Sequence, residues 1–259
     1  MSDSKLIVAK DNRLIQASYT LSLAEQRVIL MCIAKIDSRK PLPSNYEFTI
    51  SVDELHRESG ITKANAARDL RAAVDKLYQQ TIFLDPEDKF SEMRWLFKKA
   101  AFKSEGTIVL SFSPPLLPFL SELKERFTTY RLKDVSKFKS SYSLRFYEIL
   151  AQWKCKTELK VDLVWLRGIL QLGDKYPRVI DLKRYVIDPA VNDINEFSNI
   201  SVGYTQVKSG RVVTHLVFTY SFGISGEIDK PVKLTRQYIE KHAKPGETWE
   251  QARERLQGR

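Results

Sequence analysis

One arrangement restricts the fold of this chain more than any bulk property. A helical stretch, a glycine-stopped turn, a second helical stretch with one polar face and two alternating segments with a short tip follow one another, and the order occurs twice in 259 residues. The clearer copy runs from Val161 to Tyr220. There Asp162 can cap a helix, Leu163, Leu166 and Leu170 repeat at helical spacing, and Gly173 permits the left-handed backbone of a tight turn. Pro177 suits the first turn of a following helix, because its missing N–H would be unpaired there. At about 100° per residue, Val179, Leu182 and Val186 form an apolar stripe, while Arg178, Asp181, Arg184 and Tyr185 share a sector of about 120° on another side. Strands are predicted over Ile200–Val207 and Val212–Tyr220, with Lys208, Ser209, Gly210 and Arg211 as the hairpin tip. Helix, turn, helix and basic hairpin in this order describe a winged helix-turn-helix, whose second helix enters the DNA major groove while the wing touches the backbone.

The first half carries the other copy. Ser22 with Glu25 forms a capping box for a helix reaching Ile36. Pro41, Leu42 and Pro43 break the chain, Phe48–Ile50 reads as a short strand, and Ser51 with Glu54 opens a helix that Gly60 ends. From Thr62 to Gln79 a helix buries Ala67, Leu70, Val74 and Leu77, with Asn65, Arg68, Arg71 and Asp75 opposite. Strands follow at Thr81–Leu84, Arg94–Lys103 and Thr107–Phe112, the first two around a turn at Pro86 and Asp88. A short helix over Leu116–Leu123 follows Ser113, Pro114 and Pro115, and a helix over Ser140–Lys154 matches the role of the one after Ser22. Leu14, Leu21 and Val28 are spaced by seven, but Lys35 ends the series before a zipper is established.

The predicted class is therefore α+β: two tandem winged-helix domains, 1–122 and 136–224, a linker at 123–135 and a charged C-terminal tail at 225–259. Residues 1–13 are expected to be loosely held. Partial disorder is expected in the tail, with two short helices, Thr235–His242 and Thr248–Leu256.

Charge separates the halves. Residues 1–122 hold 17 Lys/Arg against 16 Asp/Glu, whereas 123–259 hold 25 against 16, so nearly all of the net +10 belongs to the second half. A cationic half favours a polyanionic partner, and double-stranded DNA fits better than a membrane surface because no basic helix carries a Trp/Phe face. Cys32 and Cys155 are too few for a disulfide framework or a cysteine zinc site, and His56, His215 and His242 are scattered. Lacking a phosphate loop or a paired-histidine metal site, the sequence reads as a binding protein rather than an enzyme, without cofactor or metal. No signal core or membrane span is visible, which suggests a cytoplasmic protein.

Candidate DNA contacts group by position. Arg178, Arg184 and Tyr185 lie on the polar face of the second reading helix, and Lys183 points away from it, toward the phosphates. Lys137, Lys139, Ser140 and Ser141 precede a helix whose free N–H groups would favour anions, and Arg145 follows within that helix. Lys208 and Arg211 occupy the wing, and Asn65, Arg68 and Arg71 supply auxiliary contacts in the first half.

Several blocks, taken together, make the chain resemble the iteron-binding plasmid replication initiators, the F-plasmid RepE-like family of tandem winged-helix proteins. They are ASYTLSLAEQR (17–27), SPPLLPFL (113–120), RFTTYRL (126–132), YSLRFYEIL (142–150), YPRVIDLKRY (176–185), VNDIN (191–195) and THLVF (214–218). The resemblance covers roughly 14–222, in order, and excludes the tail. It implies binding to directly repeated origin sites, help in opening the duplex, and recruitment of host replication proteins such as an initiator and the replicative helicase, with chaperones as further partners. It also implies a homodimer in equilibrium with the monomer, the dimer repressing its own gene. On the same basis the main base-reading helix carries Arg178, Lys183, Arg184 and Tyr185; Tyr185 stands where relatives can carry a basic residue. A tandem winged-helix repressor without initiator activity remains the alternative, and a DNA-nicking enzyme is a weaker one.

Overall fold

The computed structural model describes residues 6–42, 47–85, 92–223 and 251. The predicted turn at Pro86 and Asp88 and the two short tail helices lie outside these, apart from Gln251.

Strand β1 (Ile7–Asp11) comes first among the described elements, and Asp11 caps the short helix α1 (Asn12–Gln16) by accepting from the Arg13 N–H. Residues 7–13 are thus not loosely held. Val8 and Ala9 are buried, and β1 runs antiparallel to a strand far along the chain, a pairing that leaves no local signal. Helix α2 (Leu23–Ile33) begins with both halves of the Ser22–Glu25 capping box and is buried along almost its whole length. Strand β2 (Glu47–Ser51) leads into α3 (Val52–Ser59), which Gly60 ends with φ 65°. The second capping box is only half made: Ser51 accepts from the Glu54 N–H, but the Glu54 carboxylate pairs with Lys35 at 2.8 Å. Helix α4 (Lys63–Lys76), capped by Thr62, continues as a 3-10 turn over Leu77–Gln79. Then come β3 (Thr81–Phe83), β4 (Glu92–Arg94), β5 (Leu96–Ser104) and β6 (Thr107–Phe112), giving a sheet of order β2-β6-β5 beside a separate β3-β4 hairpin.

Pro114–Phe119 forms a 3-10 turn instead of the α-helix predicted over Leu116–Leu123, since Pro118 has no N–H to give to an α-helical bond. The predicted linker at 123–135 contains strand β7 (Phe127–Arg131), the partner of β1, with Ile7 opposite Arg131 and Asp11 opposite Phe127. Helix α5 (Ser141–Gln152), strand β8 (Glu158–Asp162) and helix α6 (Leu163–Ile169) follow. A long helix is then built from α7 (Val179–Leu182), a widened π-turn over Lys183–Ile187 and α8 (Asp188–Phe197), before the wing strands β9 (Ile200–Ser209) and β10 (Val212–Phe222). Their sheet has the order β8-β10-β9, the same plan as β2-β6-β5, so the two halves are one fold used twice. Strand β8, like β1 and β7, is an element that the sequence pattern did not reveal.

Buried apolar residues form one continuous core through both halves, and α5 is common to them. One side of α5 faces the second half: Phe146 lies 5.6 Å from the Phe218 ring, and Tyr147 donates to Asn199. The other side carries Glu148, which pairs with Lys10 of β1 at 2.6 Å and accepts from the Tyr130 hydroxyl of β7 at 2.6 Å. Burial alone would push the Glu148 carboxyl up; Lys10, Arg145 and the Tyr130 hydroxyl outweigh it and hold the group below its usual range. Ser18 also donates to the Gly168 carbonyl at 2.7 Å, a second tie between the halves.

Candidate nucleic-acid interface

The second helix-turn-helix is shaped by its turn. Asp162 caps α6 by accepting from the N–H groups of Val164 and Trp165, and the chain then reverses through Gln171, Gly173 and Tyr176, all with positive φ. The Arg167 guanidinium fastens this reversal by donating to the carbonyls of Lys175, Tyr176 and Pro177. Arg178 is the N-cap of α7, one residue after the Pro177 where the helix was predicted to begin. The π-turn that follows has a local cause: Pro189 has no N–H and its ring clashes with the carbonyl four residues earlier, so the backbone widens and Asp188 N–H reaches back to the Lys183 carbonyl.

Arg178, Arg184 and Tyr185 project outward, opposite the buried Leu182 and Val186. Arg178 forms two bonds to Asp181, 2.6 and 3.0 Å, and these hold the aspartate carboxyl below its usual range. Tyr185 stacks on Tyr176 with ring centroids 5.6 Å apart, and the Arg184 guanidinium lies 5.5 Å from the Tyr185 ring. Lys183 lies on another face, its ammonium 5.4 Å from the Tyr204 ring. The Tyr204 hydroxyl donates to Asp188 at 2.5 Å, and burial, with this bond, pushes its pKa up. At the wing tip Gly210 adopts φ 61°, with Lys208 and Arg211 exposed on either side. The structure thus brings Arg178, Arg184, Tyr185 and the wing cations to the surface of one half.

Two groups of the predicted contacts are engaged within the protein. Arg145 is only 2% exposed: it donates to the Ala17 carbonyl at 2.7 Å, lies 3.8 Å from the Tyr19 ring and faces Glu148, so it belongs to the joint between the halves. The start of α5 is no vacant anion site either. Asp193 occupies it, its Oδ2 accepting from the backbone N–H groups of Lys139 and Ser140 and from the Ser143 hydroxyl at 2.6–3.1 Å. Ser140 caps Tyr142, Ser141 gives its carbonyl to Gln26, and the Lys139 ammonium lies near Glu196 and over the Phe197 ring. Of that group, Lys137 and Lys139 alone are exposed cations.

In the first half, α4 occupies the corresponding place. Arg68 and Arg71 are exposed on it, Asn65 is half-buried, and Arg68 lies 3.6 Å from Asp69. Asp69 itself is buried and paired with Arg27 of α2 at 3.0 Å, which pins the helix.

Family models describing the two halves of a known protein family fit this chain in order. Initiator Replication protein, WH1, matches residues 7–151, and Initiator Rep protein, WH2, matches 162–220. The chain belongs to the initiator replication protein family. Among relatives, this family member is 31% identical to an Escherichia coli replication initiation protein over 242 residues, covering 90% of this chain and 73% of the relative. It is 27% identical to the Escherichia coli PI protein, with 84% and 83% covered. The fold matches that of the Pi initiator protein solved in complex with iteron DNA, with a TM-score of 0.73 at 24% identity, covering 86% of this chain and 99% of that one. The chain is thus a replication initiator by family, with tandem winged-helix domains.

The sequence reading missed Arg167 as the strut of the turn, and Asp193 as the internal anion. Neither has a local signal, since each acts through a partner brought close only by the fold. Among the described residues, no group of His, Cys, Asp and Glu is placed to hold a metal ion, and no helix is long and apolar enough to cross a membrane.

Proposed function

We propose that this chain initiates plasmid replication by binding directly repeated origin sites, with the α7–α8 helix in the major groove and the β9–β10 wing on the backbone. The observation that carries the reading is the pair of outward arginines, Arg178 and Arg184, on the second helix of a helix-turn-helix in a chain of this family. Base reading falls to Arg178 and Arg184, with Tyr185 beside them. Lys183, Lys208 and Arg211 serve as phosphate contacts, joined by Lys137 and Lys139 from the loop before α5. The iteron complex of the Pi protein supports repeated sites as the ligand. The first half, 1–122 in the sequence division, adds auxiliary contacts from Arg68 and Arg71 and supports a dimer that represses its own gene. Its edge strand β5, with exposed Phe97 and Phe102, offers a second copy an edge that is unpaired among the described residues. We read it as a binding protein rather than an enzyme, one that promotes opening of the origin and recruits host replication proteins.

Footprinting on DNA flanking the gene tests binding: protection of regularly repeated sites is expected, and uniform weak protection would refute it. Adding the protein to that DNA with host factors and mapping unpaired bases tests initiation. Binding without duplex opening would leave a repressor.

A further inference from the structure

Ile180 is 68% exposed on the outer face of α7, one helical turn before Arg184. Its neighbours on this surface are charged or aromatic and engaged with one another: Arg178 with Asp181, Tyr185 with Tyr176, and Arg184 over Tyr185. Ile180 alone among them offers branched hydrocarbon to solvent. The buried stripe Leu182–Val186 lies on the other side of the helix, so Ile180 and Arg184 form its most outward line. Resting on the placement of this helix in the major groove, we propose that Ile180 is a specificity-determining residue that reads a thymine through its C5-methyl group.

The chemistry leaves few alternatives within the groove. Guanine and adenine present hydrogen-bonding groups there and cytosine adds only a small C5–H, so burying an isoleucine against them would strip polar edges of water with little compensation. The thymine methyl is the largest apolar feature, and contact with it removes hydrocarbon from water on both sides. One helical turn advances the side chain by roughly 6 Å, against a base step of about 3.4 Å, so the thymine lies within about two base steps of the base read by Arg184.

The test uses the full chain and a duplex selected by it from a randomised pool, with each thymine in turn replaced by deoxyuridine, which lacks only the methyl. One replacement should weaken wild-type binding by about three- to tenfold, the scale of a buried methyl contact. Ile180→Ala should bind the thymine and deoxyuridine duplexes equally at that position, with an unchanged melting curve because the side chain is exposed. If every replacement is neutral while Arg184→Ala still lowers the preference for the selected duplex over random DNA, the helix reads bases and the role of Ile180 is overturned. If Arg184→Ala leaves that preference intact, base reading by the helix fails and the inference falls with it.

Discussion

The two halves share one plan, with a sheet whose first strand pairs with its last and a hairpin wing beyond a helix-turn-helix, yet their second helices differ. Helix α4 is a regular 14-residue helix, held to α2 through Asp69 and Arg27, and among the described side chains its outer face offers Arg68 and Arg71. The α7–α8 helix is widened at Lys183–Ile187 and presents Arg178, Ile180, Arg184 and Tyr185 within little more than two turns. The sequence charge follows the same division, near balance before residue 123 and strongly positive after it. A winged-helix plan therefore fixes where the second helix lies, and on the proposed function its exposed side chains set how strongly and how selectively it engages DNA.

The largest way to disturb this comparison is to cut the joint. Glu148→Ala leaves Lys10 and Arg145 buried without their carboxylate and should cost about 3–5 kcal/mol of stability, read by urea unfolding. Because α5 serves both halves, they should lose stability together; independent unfolding of one half would contradict a shared joint. The same carboxyl gives a pH signature. Its folded pKa is lowered, so its contribution is present above the unfolded value of about 4.3 and is lost as pH falls through the folded value. Glu148→Gln should flatten that acid-side part of the stability curve.

Next in size is base reading. Arg184→Ala should cost on the order of 1–3 kcal/mol at a specific site and little on random DNA, whereas Arg71→Ala on α4 should cost less and weaken both alike. Equal losses on both DNAs for Arg184→Ala would remove the contrast between the helices. The smallest effects belong to the wing. Lys208→Ala and Arg211→Ala should each reduce the slope of log K against log salt by about 0.9 with site preference preserved, and an unchanged slope for both would take the wing out of the interface.

Much of this was legible because winged-helix elements are local. Asp162, Ser22 and Gly60 mark helix ends by their own chemistry, and the Val179, Leu182, Val186 stripe fixes which face of the reading helix turns inward. What escaped was non-local. Strand β1 is defined only by β7, and Arg145 looks like a surface cation until Ala17 and Tyr19 close over it. The Asp193 carboxylate fills a helix start that would otherwise suit a phosphate, and the intervening residues give no hint of the meeting. The stretch predicted as a linker holds a strand for the same reason, being half of a pair whose other half is β1.

That strand pair also imposes an order on the making of the protein. Strand β1 leaves the ribosome well ahead of its partners, Phe127–Arg131, which follow only after roughly 6 to 25 seconds at the ordinary synthesis rate of about 5 to 20 residues per second. Lys10 must wait longer still, until Glu148 has emerged. The nascent first half therefore spends that interval with an open strand edge and an unmatched ammonium, and it completes its own packing only when the beginning of the second half arrives. Completing the first half before the second is begun is therefore closed to this fold: β1 is made well before β7 and Glu148 and is seated only after both.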